Sequence, residues 1–326
     1  MTDYWFSASH EQFTPSALIE QAVQAEAAGF DGIGCSDHFQ PWFPDGESGN
    51  AWVWLGAAGQ RTSLPLGTGV TALVHRYHPA VVAQAFITLE ELYPGRTFLG
   101  VGSGEALNEI ACGADWPSTG EQIERMDQAL DVITRLWAGE TVTADHGWFA
   151  VKEAKLHTRA ASRPKLYVSA FGPQAAEVAG RYGDGVWTLA DPEGVPEILD
   201  AYRASRTSAG LPDGRVILHT GIAWAASEEA VIDGARGWRG AQPDSVYKDA
   251  IGSPEAIQAQ ADEDGVDDDA LREGFVVSAD PDEHIARIRE IEGLGADVVC
   301  LQNVSGADPE GTIRVYGETV LPALRG

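Results

Sequence analysis

The sequence predicts a closed, parallel (β/α)8 barrel of the TIM type, and three observations carry that expectation. Eight short apolar runs are distributed along the 326 residues, amphipathic helical patterns separate them, and polar residues suited to chemistry follow the ends of several runs. Alternating β and α units imply parallel strands, and eight of them favour a closed barrel over an open doubly wound sheet. Barrels of this type run to ~250 residues or more with insertions, so a single domain over 1–326 is expected.

The first run is Tyr4 to Ala8, followed by PSALIEQAVQAEAA (15–28), whose apolar positions recur every three or four residues until Gly29 ends the helix. The next runs are DGIGCS (31–36), LPLGTGV (64–70), RTFLGVG (96–102), KLYVSA (165–170), GVWTLA (185–190), VILHTGIAWA (216–225) and ADVVCLQ (296–302). Helical periodicity falls at Tyr77 to Leu92, Gly120 to Trp137, Pro173 to Arg181, Val195 to Ser208 and Pro281 to Leu294. Two connections exceed a simple crossover. Residues 105–164 hold a helix and then TVTADHGWFAVKEAKLH, which alternates like a hairpin, and residues 226–295 hold helical patterns broken by ADEDGVDDDALREG. Long insertions on a barrel shape its active face, whereas the acidic stretch 261–270 reads as a solvated surface loop.

Composition narrows the class of partner. With 49 acids against 22 bases the net charge is −27, which speaks against nucleic acid, since a duplex needs a basic surface. Crowded surface acids keep a protein hydrated in concentrated salt, where a Debye length of ~3 Å at molar salt leaves even an anionic ligand little repelled. No apolar run approaches the ~20 residues of a membrane span, and the opening MTDYWFSASHEQF has no signal-peptide pattern. Cys35, Cys112 and Cys300 are odd in number and widely separated, which argues against a disulfide framework or a zinc site and for a reducing cytoplasm.

Candidate chemistry gathers after the first, second and fourth runs: Ser9, His10 and Glu11; Asp37 and His38; Glu105 and Asn108. In a parallel barrel these ends meet on one face. His38 is the candidate general acid or base, because imidazole changes charge near neutral pH and a neighbouring carboxylate can orient it. Trp42 can cover a cofactor ring or donate its N–H. GVGSGE (100–105) fails as a dinucleotide fingerprint because Glu105 stands where glycine is needed, so its glycines are read as letting a backbone approach a ligand. Gly172-Pro173 opens a helix whose free N–H groups suit either a phosphate or simple capping.

Taken in order, SHEQFTP (9–15), SDHFQPW (36–42), LGTGV (66–70), RYHPAVVAQAF (76–86), YPGRTFLGVGSGEALNE (93–109), FGPQAAEVAGRYGDG (171–185) and SADPDEHIARI (278–288) resemble the luciferase-like flavin and deazaflavin oxidoreductases, in the branch of the coenzyme F420-dependent glucose-6-phosphate dehydrogenases and their relatives. The resemblance implies a dimeric luciferase-like barrel that moves hydride between an alcohol or sugar and F420; an FMN-dependent monooxygenase is the alternative. It makes His38 the base, Trp42 a transition-state stabiliser, Glu105 the acid serving the reduced cofactor and Glu11 a second acid. It puts Asp37, Gly69, Val70, Gly104, Asn108, Phe171, Gly172 and Pro173 against the cofactor, with a non-proline cis bond at Gly69-Val70. Where that branch holds a sugar phosphate with two lysines and an arginine, this chain has Pro192, Ala259 and Gly274, which points away from glucose 6-phosphate. Trp187 is the expected substrate contact, and Arg239, with Arg236 or Lys248, a replacement cation.

Overall fold

The computed structural model describes residues 2–306 and 308–326. All eight apolar runs are strands: β1 (Asp3–Ala8), β2 (Gly32–Cys35), β3 (Leu66–Ala72), β4 (Thr97–Gly102), then, after a hairpin of β5 (Val142–Asp145) and β6 (Ala150–Ala154), β7 (Lys165–Ser169), β8 (Gly185–Leu189) and β9 (Arg215–Ala223). The two-residue β10 (Val276–Val277) adds to the side of β9, and β11 (Val298–Asn303) completes the set. β1 pairs in parallel with both β2 and β11, and β9 pairs with both β8 and β11, so the sheet closes into a (β/α)8 barrel. The expected hairpin in the first insertion is present as the antiparallel β5–β6 pair.

Large side chains fill the barrel. Trp5 stacks on Phe98 with ring centroids 4.7 Å apart, and Tyr167, Trp187, Ile217, Val298 and Cys300 complete this interior cluster. The main core lies outside the ring, where helices pack on the sheet. Their boundaries follow ordinary capping chemistry: Thr14 caps Pro15–Ala28, which ends at Gly29 in the left-handed region (φ 91°), and Ser118 caps Thr119–Trp137. Proline in the first turn opens Pro79–Leu92, Pro173–Tyr182 and Pro281–Gly293 as well.

Two helical regions were not legible in advance. Ala51–Arg61, capped by Asn50, carries Trp52 and Trp54 in a run resembling an aromatic loop, and the chain ends in a continuous helical segment beginning with Pro309–Val315. The acidic stretch expected as a loop is instead mostly two helices, Pro254–Glu263 and Asp268–Gly274. Asp267 caps the second by accepting from the backbone N–H groups of Asp269 and Ala270, while Ile257, Ala261 and Leu271 are buried. Asp268 and Asp269 stand in the first turn, where the helix dipole favours acids, so their density there does not oppose helix. Among the described residues no helix is long and apolar enough to cross a membrane.

The insertions fasten onto the carboxyl ends of the strands. Gln40 Nε2 donates to the carbonyls of Leu107 and Gly252, and Gln258 Nε2 donates to that of Trp42, linking the second insertion to the loop after β2.

Close approach of β3 to β4 leaves no room for a side chain at Gly67, where a Cβ would stand 1.9 Å from the Phe98 carbonyl oxygen. Gly67→Ala is expected to destabilise by roughly 1–3 kcal/mol. Gly56→Ala, in a half-buried helix position with open space for a Cβ, is expected to stabilise by roughly 0.5–1 kcal/mol. Urea unfolding of both variants measures the contrast.

Candidate active site

The register of the first two strands builds the site. Ala8 of β1 lies beside Cys35 of β2, so the third residue beyond each, Glu11 and His38, emerges at neighbouring points of the rim. His38 Nε2 is 3.5 Å from Glu11 Oε1 and 4.0 Å from Glu105 Oε2, the latter brought over from the turn after β4. Ser36 Oγ donates to the other oxygen of Glu11. Glu11 is almost wholly buried while Glu105 keeps a fifth of its side chain exposed, so the two acids bracket the imidazole from inside and from the mouth.

Asn108 positions these groups. Its Oδ1 accepts from the backbone N–H groups of Phe39 (2.7 Å) and Gln40 (3.1 Å), which fixes the amide so that Nδ2 donates to Glu105 Oε2 at 3.1 Å. His38 Nδ1 lies 3.2 Å from the Gln40 carbonyl oxygen and 3.3 Å from Asn108 Nδ2. The carbonyl is the nearer group and can only accept, whereas the amide, which gives one hydrogen to Glu105, has a second to offer. Donation from Nδ1 to the Gln40 carbonyl is the tautomer that leaves the lone pair on Nε2. Trp42 packs beside His38 (centroids 5.2 Å apart), and Tyr247 and Phe171 extend this aromatic wall.

A buried charge cluster lies next to it. Asp37 accepts from Thr71 Oγ1 (2.6 Å) and the Tyr77 hydroxyl (3.0 Å), and its backbone carbonyl accepts from Arg76 Nη2 (2.7 Å). Arg76 also faces Glu109: its backbone N–H donates to Oε2 at 2.7 Å, and its Nε stands 3.6 Å from Oε1. Burial pushes the Glu109 carboxyl up to about 7, outweighing the Arg76 charge and hydrogen bond that act the other way. Desolvation and the Asp37 charge raise the Tyr77 hydroxyl, keeping it a donor.

The remaining expected residues divide. The Gly69-Val70 peptide is cis, and Gly104 (φ 79°) turns the chain so closely over Ala72 that a Cβ would meet it at 2.9 Å. Phe171 is half exposed, and Gly172 opens its helix without a side-chain cap, in open space. Trp187 stands in the interior cluster, where it is buried against Gly69 with Val70 packed on the same cluster, because alternation along β8 turns it inward. Arg239 stands apart, pairing with Asp262 at 2.8 Å and Gln258 at 3.0 Å on the second insertion. Sequence reasoning gave no role to Arg76, Tyr77, Glu109 or Tyr247. The first three sit in quoted motifs, and Glu109, four residues after Glu105 in a short helix, was the available signal.

A parallel barrel with acid–base groups at the carboxyl ends of its strands has the construction of a barrel enzyme. Residues 3–298 match the model of the luciferase-like monooxygenase family, and the chain belongs to that family. It is 38% identical, over 99% of its length and 97% of the relative's, to a Microbacterium testaceum protein named F420-dependent glucose-6-phosphate dehydrogenase. A Nakamurella multipartita protein of the same name is 37% identical over 99% of this chain and 96% of its own. Among solved structures, an F420-dependent secondary alcohol dehydrogenase in complex with an F420-acetone adduct superposes with a TM-score of 0.94 at 32% identity, covering 100% of this chain and 99% of that one.

Glu109 gives a stability test. The folded chain holds its proton up to about pH 7, whereas an unfolded glutamate releases it near 4.5, so this contribution is fully present below pH 4.5 and is lost as pH rises through 7. Relative to wild type, Glu109→Gln is expected to gain about 3 kcal/mol between acid and mildly alkaline pH. Denaturant unfolding at both ends of that range measures the difference.

Proposed function

We propose that this protein is a coenzyme F420-dependent oxidoreductase exchanging hydride with an uncharged alcohol or sugar. The observation that carries this is the position of His38 Nε2, which lies between the Glu11 and Glu105 carboxylates. The names of the relatives favour F420 over FMN. The residues present fit such a group: the uncapped N-terminus at Gly172-Pro173 leaves backbone donors and open space for an anionic tail, and Asn108 beside His38 and the half-exposed Phe171 on the aromatic wall offer a polar and an apolar contact. Bound deazaflavin supplies the hydride acceptor.

The chain's own residues handle the proton and the fit. His38 Nε2 takes the substrate hydroxyl proton, and the imidazolium that results is stabilised by the two flanking carboxylates. Trp42 sets the imidazole's position by packing and shields it from water. Glu105, the more exposed acid, stands at the mouth of the site, and Asn108 keeps its Oε2 in place.

Charge defines the substrate class. Arg236 pairs with Asp233 and Asp268, Arg239 with Asp262, Lys248 with Asp244 and Arg272 with Glu228. A phosphate dianion would have to displace one of these acids and approach Glu11 and Glu105, losing roughly 1.5–3 kcal/mol for each charge-assisted bond it fails to make. At the positions where that branch has its phosphate ligands, Pro192, Ala259 and Gly274 are all exposed and none carries a charge. The proposal includes a cytoplasmic homodimer adapted to concentrated salt, supported by the net charge of −27 and the resemblance.

Anaerobic reduction of F420 by secondary alcohols, glucose and glucose 6-phosphate tests the reading. Uncharged alcohols are expected to turn over, with glucose 6-phosphate at least about tenfold poorer in kcat/KM. His38→Ala should lower kcat by roughly 10²–10⁴ while F420 still binds. Preferred use of glucose 6-phosphate would overturn the substrate class, and tight FMN binding without F420 binding would overturn the cofactor. Activity should fall when salt is lowered from molar concentrations.

A further inference from the structure

Glu109 is wholly buried beside the site, yet nothing in the proton path described above uses it. Its partner Arg76 is 7% exposed and serves two carboxylates at once. Toward Asp37 it makes a 2.7 Å hydrogen bond to the backbone carbonyl and a 3.5 Å contact to Oδ1. Toward Glu109 the side-chain contact is only 3.6 Å, and Arg76 Nε and Glu109 Oε1 are both buried without a hydrogen-bond partner. One guanidinium is thus divided between two acids, with the pair to Glu109 incompletely formed. The two acids are adjacent in sequence to the residues that matter: Asp37 precedes His38, and Glu109 follows Asn108, which binds the 39–40 backbone and Glu105.

We propose that Glu109 is a positioning residue, which acts through the Arg76 it shares with Asp37 to control the placement of His38. With Glu109 neutral, Arg76 belongs to Asp37, the pair carries no net charge, and the backbone carbonyl before His38 is held. With Glu109 ionised, its Oε1 competes for Nε, the guanidinium is drawn from Asp37, and the cluster gains a buried negative charge. That charge favours the protonated form of His38 and so withdraws the free base. The groups facing Glu109 are Arg76 and Tyr77 from the segment after β3, Asp37 from the loop after β2, and Glu105 and Cys112 from its own turn. Arg76 is the one cation among them. Burial holds the Glu109 proton to about pH 7, so the two states exchange in the range where the enzyme would work.

This inference rests on His38 being the base, and the experiment separates the two. The pH profile of kcat/KM for F420 reduction is measured for wild type and Glu109→Gln, which mimics the neutral acid. The ratio of variant to wild type is expected to rise severalfold from below to above neutrality. A ratio constant with pH means a purely structural role and overturns the proposal. Absence of F420-dependent turnover in wild type overturns the functional reading instead. A second measurement does not need the variant to fold: NMR of wild type labelled at glutamate Cδ and histidine Cε1. The His38 signal is expected to show a step at the Glu109 carboxyl midpoint, and a His38 titration with no step there would also overturn the proposal.

Discussion

Because β1 and β2 leave the barrel in step, with Ala8 beside Cys35, Glu11 and His38 reach the rim as neighbours, and the rest of the site is arranged around that pair. A shift of one residue in the register would reverse the faces of β2 and turn Asp37 instead of His38 toward Glu11. Closure of the sheet protects the register, since neither strand is an edge. Asn108 then ties the turn after β4 to the loop after β2 through its Oδ1, while its Nδ2 holds Glu105. Three separate segments of chain are thereby held to a tolerance that a loop alone would not provide.

Electrostatics follow from the same placement. Glu11, Asp37, Glu105 and Glu109 converge on one region with a single buried arginine, Arg76, among them. Such a cluster suits a base that becomes a cation during the reaction, and it is hostile to a dianionic substrate. The second insertion reinforces this, because its bases Arg236, Arg239, Lys248 and Arg272 are neutralised by acids of the same insertion. The aromatic wall of Trp42, Tyr247 and Phe171 gives the mouth an apolar side in keeping with a weakly polar alcohol.

The barrel was legible because its strands are short apolar runs punctuated by glycine and its helices have the 3.6-residue period. Glu11, His38, Glu105 and Asn108 were legible because they follow strand ends, where position alone specifies the face. Ala51–Arg61 was obscured by the tryptophans that anchor it, and the acidic helices of the second insertion were obscured because their acids favour helix starts as well as loops. Trp187 was expected at the substrate; which way it turns depends on pleat parity, and the fold turns it into the barrel against Gly69. The Arg76–Glu109 pairing joins residues far apart in the chain and needed the fold itself.

The central claim is that His38 Nε2, between Glu11 and Glu105, is the atom that takes the substrate proton. The most direct measurement is a crystal structure of the complex with F420 and an unreactive alcohol analogue. The alcohol oxygen is expected about 3 Å from His38 Nε2, within the aromatic wall of Trp42 and Tyr247. An alcohol oxygen bound instead at Arg239 or Arg236, with His38 Nε2 out of reach, would contradict the account.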